Sequence, residues 1–149
     1  METFRTPQLD LIHNVLELAK NINKQQEILL KEFNISHEQL NILIILFYDS
    51  CKSSLSLLEI QERMILSTTN TSRLVDKLKE KKLATRKTDS KNRRKVKIQI
   101  TKKGETLVIQ ATKKIKDYSK KVNLKISDNE SFELSKKIVE INELVLDWY

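Results

Sequence analysis

The side chains that most often carry out reactions are scarce in this chain of 149 residues. It holds two histidines, His13 and His37, one cysteine, Cys51, and one glycine, Gly104. Neither histidine has a second ligand at metal spacing, so both are read as structural or surface residues. No Ser/His/Asp set, metal cluster or glycine-rich phosphate loop can be assembled from this inventory, and neither an enzyme nor a cofactor is expected. A lone cysteine allows no internal disulfide, which suits a reducing cytosol. Cys51 falls in a polar loop where Lys52 could lower its pKa, but nothing else there activates a thiolate.

Positive charge is what the chain has in excess, with a formal +8 overall. Residues 81–103 hold eleven Lys or Arg against the single acid Asp89, a balance of +10 that leaves −2 for the rest. Such a density repels itself unless a polyanion neutralises it. Nucleic acid is therefore the leading partner, and an anionic membrane surface the second. No apolar stretch is long enough to span a bilayer, and the first ten residues lack the pattern of a secretion signal, so a cytoplasmic protein without membrane contact is expected.

The elements that must position these cations follow from periodicity. Residues 7–33 carry apolar side chains at three-four spacing, among them Leu9, Ile12, Leu16 and Leu30, with a second stripe at Leu11, Val15, Leu18, Ile22 and Leu29, so a long helix with two faces to bury is expected. Ser36-His37-Glu38-Gln39 reads as a capping box for a helix reaching about Tyr48, and Ser56-Leu57-Leu58-Glu59 as a second one for a short helix ending near Met64. Ile65-Leu66 supplies the turn, and Ser67 is expected to cap a further helix with Thr71, Leu74, Val75 and Leu78 inward and Thr69, Ser72, Arg73, Asp76 and Lys77 outward. Two short helices joined so tightly form a helix-turn-helix. Residues 83–87 and 95–100 are strand-like, with Val96, Ile98 and Ile100 alternating with Lys95, Lys97 and Gln99, and the polar tip from Asp89 to Arg94 joins them into a wing. Thr101 caps the next helix, and a last one after Ser127-Asp128 carries Leu134, Ile138, Ile141, Val145 and Trp148. The expected architecture is mainly α: a winged helix-turn-helix lobe over about 36–100, with a two-stranded β wing, flanked by terminal helices over about 7–33 and 102–149.

The exposed N-terminal part of the second helix of the pair is what reaches base edges in a major groove. Thr68, Thr69, Ser72 and Arg73 are thus candidate base or phosphate contacts, with Asn70 and Lys77 beside them. Arg73 has a competing assignment, a surface ion pair with Asp76 three residues on. Lys87, Lys91, Lys95 and Lys97 are candidate phosphate neutralisers.

The segments from Ile35 to Leu43, from Ser72 to Leu78, and from Asp89 through Arg93-Arg94 to Thr101-Lys102-Lys103-Gly104 closely resemble the MarR family of transcriptional regulators, over nearly the whole chain. The resemblance implies one domain spanning residues 1–149, working as a homodimer whose first and last helices interleave. Leu9, Ile12, Leu16, Leu134, Ile138, Ile141, Val145 and Trp148 are then candidate dimerisation residues. It implies Arg94 as the minor-groove arginine, Arg93 as its phosphate-binding neighbour and Asp89 as their brace. It further implies an inverted-repeat operator in double-stranded DNA, repression released by a signal, and, as in many relatives, a small aromatic anion as that signal. Two positions depart from the family pattern: Lys82 stands where glycine usually ends the recognition helix, and Thr71 where a larger aliphatic is common. The rival reading is a basic module that binds nucleic acid or acidic partners without regulating transcription.

Overall fold

A computed structural model describes residues 6–49, 54–64, 70–88, 96–122 and 126–146, in two compact units, Met1–Lys113 and Lys114–Tyr149. The helices are α1 (Pro7–Leu30), α2 (His37–Tyr48), α3 (Leu57–Arg63), α4 (Thr71–Glu80), α5 (Lys102–Val122) and α6 (Asp128–Leu146), with strands β1 (Ala84–Thr88) and β2 (Val96–Ile100) between α4 and α5. None of the described helices is long and apolar enough to cross a membrane.

In the first unit, α1 opens with Thr6 accepting from the Leu9 amide and Pro7 in the first turn. It tightens into a 3₁₀ turn, Lys31–Phe33, and stops where Asn34 turns left-handed at φ 53°. Asparagine tolerates that conformation better than most residues do. Both expected capping boxes are formed, Ser36 with Gln39 and Ser56 with Glu59. The core gathers Leu30, Leu40, Ile42, Leu43, Leu46, Leu55, Ile60, Val75, Leu78, Leu83 and Ile98. Helix α2 is its centre, although Tyr48 at its end faces solvent.

Helix α4 differs from expectation at its start. Its N-cap is Asn70, without a side-chain capping bond, and the expected cap Ser67, with the Ile65-Leu66 turn, lies outside the described residues. Its inward face is as the spacing predicts: Thr71, Val75 and Leu78 are buried, Leu74 is half-buried, and the Thr71 hydroxyl lies 3.8 Å from Met64 Sδ.

At its other end the Lys82 amide donates to Lys79 O and the Leu83 amide to Leu78 O, both at 2.9 Å. This is a Schellman closure with Lys82 in the left-handed position, φ 61°, the conformation its departure from glycine predicts. Leu78 and Leu83 are both buried, which anchors the corner.

The strands pair antiparallel with Ala84 opposite Ile100, Arg86 opposite Ile98 and Lys87 opposite Lys97. Leu55 adds a short third edge, exchanging two backbone bonds with Ile98 at 2.9 and 2.7 Å. Thr101 then caps α5 by accepting from the Gly104 amide at 3.1 Å, while its hydroxyl also donates to Lys82 O and Leu83 O.

Helix α5 continues across the boundary between the units. In the second unit α6 is opened by a third capping box, in which the Ser127 and Glu130 side chains each serve the other's backbone amide. The pattern Ser-x-x-Glu was present in the sequence and was not read there as a cap.

Candidate nucleic-acid interface

The outward face of α4 is set by what its inward face buries. With Thr71, Val75 and Leu78 in the core, Ser72, Arg73 and Lys77 are turned to solvent, and Asn70 stands exposed at the head of the helix. Of the helix residues expected to contact DNA, these four are brought onto one accessible surface. Thr68 and Thr69 lie outside the described residues.

The expected alternative for Arg73, an ion pair with Asp76, is not formed. Asp76 is held instead by Arg86, whose Nη1 is 2.6 Å from Asp76 Oδ1 and 3.3 Å from the Ser72 hydroxyl oxygen. A rule for neighbours on one helix sees only Arg73. Arg86 comes from β1, ten residues further on and across the helix–strand corner, and was missed for that reason. Because the Ser72 oxygen accepts from Arg86, the hydroxyl hydrogen is left to be donated outward, which suits an acceptor such as a phosphate or a base edge.

The ribbon has the two faces that its alternation predicts. Ile98 is fully buried while Lys87 and Lys97, directly opposite each other, are exposed. Two lysines thus stand side by side on the outer face of the ribbon. The tip with Asp89, Lys91, Arg93, Arg94 and Lys95 lies outside the described residues, as does Cys51.

Not every lysine of the basic stretch points outward. Lys81 donates to Asn34 O and to Gln39 Oε1, tying the end of α4 to the start of α2. Its pKa is lowered, first by burial and then by the charge of Lys77. Lys103 Nζ caps Lys81 O at 3.1 Å. These two fasten parts of the lobe together, while Lys82, Lys87, Lys97 and Lys102 of the same stretch are exposed.

Among the candidate dimerisation residues, Leu9, Ile12 and Leu16 on α1 are 53%, 56% and 65% exposed. On α6, Leu134 and Ile138 are 55% and 49% exposed, and Ile141 is half-buried. The side chain of Val145 and all of Trp148 lie outside the described residues. Helix α6 also exposes Phe132, Val139 and Leu144, three large apolar residues that the reading of a single stripe passed over.

His13 is exposed on α1, and His37 is the half-buried first residue of α2. Among the described residues no cluster of His, Cys, Asp or Glu could hold a metal.

Residues 35–96 match the model of the MarR family. No curated protein sequence matches the chain. Among solved structures, the chain resembles the organohalide-sensing transcriptional regulator RdhR in its ligand-free form, with a TM-score of 0.81 at 22% identity over 98% of this chain and 90% of that one. It resembles MepR of Staphylococcus aureus in complex with DNA, with a TM-score of 0.77 at 20% identity over 88% and 95% of the two chains. Against apo MarR from Escherichia coli the TM-score is 0.71 at 17% identity over 92% and 97%. At these identities the likeness establishes the fold.

Proposed function

We infer that this chain, which carries a MarR-family winged-helix domain over residues 35–96, is a DNA-binding transcriptional regulator and not an enzyme. The observation that carries the reading is one continuous arrangement. An α4 whose buried side fixes Ser72, Arg73 and Lys77 outward leads through a three-residue corner into a ribbon with a lysine pair on its outer face. A helix of this kind enters the major groove, and a basic ribbon beside it tracks the backbone. A charged module without sequence preference needs the cations but not their placement on a buttressed helix. The MepR relative is solved on DNA, which supports the same reading here.

The regulator acts in the cytoplasm as a homodimer on an inverted repeat, and represses until a signal lowers its affinity. Arg94 enters the minor groove, with Arg93 on the adjoining phosphate and Asp89 bracing both, while Lys87, Lys91, Lys95 and Lys97 supply charge. The signal is a small aromatic molecule that binds the two conformations unequally, and one structural relative is an organohalide sensor. A cavity of about 180 Å³ between Leu46, Leu55 and Ile98 is bordered by the carboxylates of Asp49 and Glu105. Asp49 is paired with Arg63 at 2.6 Å and Glu105 with Lys102 at 2.9 Å, so these carboxylates leave the cavity wall without excess negative charge.

The test is fluorescence anisotropy against the intergenic DNA beside the gene, random duplex and anionic vesicles. Tight binding to an inverted repeat within the intergenic DNA, weaker binding to random duplex and none to vesicles are expected. Equal affinity for random duplex, or binding to vesicles, overturns the regulator in favour of the basic module. Arg94→Ala is expected to weaken specific binding by more than about tenfold with the helical circular dichroism unchanged.

A further inference from the structure

We propose that Arg86 is a positioning residue, a strut that fixes the angle between the recognition helix α4 and the wing by clasping Asp76 and Ser72. The inference rests on the DNA-binding reading above and adds to it a residue that touches no DNA.

The geometry is that of a braced corner. Helix α4 and strand β1 meet at residues 81–83, where the two Schellman bonds fix the backbone. Beyond that point the ribbon is held on its β2 side, where Ile98 is buried and bonded to Leu55, and the side chain of Arg86 ties its β1 side to α4. Arg86 stands three residues along the strand, about 10 Å from the corner, and Asp76 and Ser72 stand roughly 6 and 12 Å back along the helix. Nη1 of Arg86 reaches both, at 2.6 Å to Asp76 Oδ1 and 3.3 Å to Ser72 Oγ. The link therefore closes a triangle whose other two sides are rigid elements. Ser72 and Asp76 are four residues apart on one face of α4, so a single nitrogen held between them sets the rotation of the helix as well as its tilt.

Arg86 lies opposite Ile98, on the sheet face that turns towards the core and away from the Lys87–Lys97 pair. From there its charge is spent on Asp76, which sits between Arg73 and Lys77 in sequence. Left unpaired, that carboxylate would repel an approaching phosphate. The side chains are 26% and 49% exposed, and a pair this open to water adds little to folding stability. Its value lies in placing two DNA-binding elements at once.

The alternative role for an arginine in this region is direct contact with a phosphate, and the two roles give opposite results in Asp76→Asn. With a strut, Asp76→Asn and Arg86→Gln each weaken operator binding by about tenfold, the scale of one displaced base contact, and the double variant is no worse than the worse single one. The slope of log affinity against log salt stays unchanged in Asp76→Asn. With a phosphate contact, Arg86→Gln flattens that slope by about one unit, and Asp76→Asn binds DNA as well as the wild type or better. That second pattern overturns the proposal.

A readout without DNA separates this failure from failure of the DNA-binding reading. Hydrogen exchange in the free protein is expected to speed up for the amides of residues 85–88 in both single variants, while those of Ile42 and Leu43 stay protected. Unchanged exchange in the ribbon overturns the strut even if the protein binds DNA. Faster exchange in the two variants, together with a wild-type protein that binds no duplex, supports the strut and overturns the DNA-binding reading instead.

Discussion

Gly104 and Lys82 show how single positions in this chain trade conformation against contact. A β-carbon at residue 104 would lie 2.2 Å from Leu83 O and 2.7 Å from Ile100 Cγ1, so the chain's one glycine stands where the first turn of α5 presses against the corner after α4. Alanine is the better helix former by about 1 kcal/mol, but here the overlap is with backbone that cannot step aside. Gly104→Ala is expected to cost a net 1–3 kcal/mol or so in urea unfolding, and an unchanged midpoint would show that the corner relaxes. Lys82 is the reverse case, a side chain kept at φ 61° where glycine carries no penalty. Lys82→Gly should stabilise the fold by about 1 kcal/mol, provided that relief of left-handed strain exceeds the added freedom of the unfolded chain. The left-handed position of Lys82 was legible through the family resemblance, because glycine usually stands there. The sequence could not assign Arg86 to Asp76, because that contact depends on the corner angle rather than on spacing along a helix.

At the scale of elements, the starts of helices were legible wherever the chain states them locally. Ser36, Ser56 and Ser127 all stand three residues before a Gln or Glu, and all three boxes form. The start of α4 was not legible, since neither Ser67 nor Asn70 has Gln or Glu three residues on, and Asn70 makes no side-chain cap. Ser56→Ala should lower stability by about 1 kcal/mol and loosen the first helix of the pair. Glu38 gives a pH dependence whose sign follows from its neighbours. The Ser36 hydroxyl first, and the backbone amide second, hold its carboxyl below the ordinary value of 4.5. Its contribution to stability is therefore complete above pH 4.5 and is lost as pH falls through the lowered folded value. A plot of urea midpoint against pH should show wild type losing its advantage over Glu38→Gln only in that acid range. The ribbon was legible from alternation alone, and its lysine pair makes a prediction of opposite sign for folding and binding. Lys87→Gln should raise stability by a few tenths of a kcal/mol at low salt while flattening the DNA salt slope by about one unit.

For the whole molecule the question is what covers the apolar faces that each unit leaves open. Helix α1 exposes Leu9, Leu11, Ile12, Val15, Leu16, Leu18 and Ile22, and α6 exposes Phe132, Leu134, Ile138, Val139 and Leu144. The α1 stripes, and Leu134 and Ile138 of the α6 face, were visible in the sequence as three-four repeats on helices longer than the lobe between them could cover, whereas Phe132, Val139 and Leu144 were not. The repeats show that a face must be buried but not against what, because a second copy leaves no mark in one chain's periodicity. Soluble monomers rarely tolerate apolar patches of more than a few hundred Å². A two-fold axis disposes of such a surface with the least sequence, since each copy covers the other with the same residues. A two-fold axis that also set two copies of α4 about one DNA turn apart, roughly 34 Å, would match the spacing of an inverted repeat. We therefore expect a dimer at all practical concentrations. Leu16→Asp and Ile138→Asp, each placing a charge on an exposed apolar stripe, should dissociate it and abolish operator binding with Arg73, Arg86 and Arg94 intact. Sedimentation equilibrium decides the matter. A wild-type species that stays near the chain mass of 17.5 kDa and still shifts a single half-site would refute the dimer and the operator symmetry together.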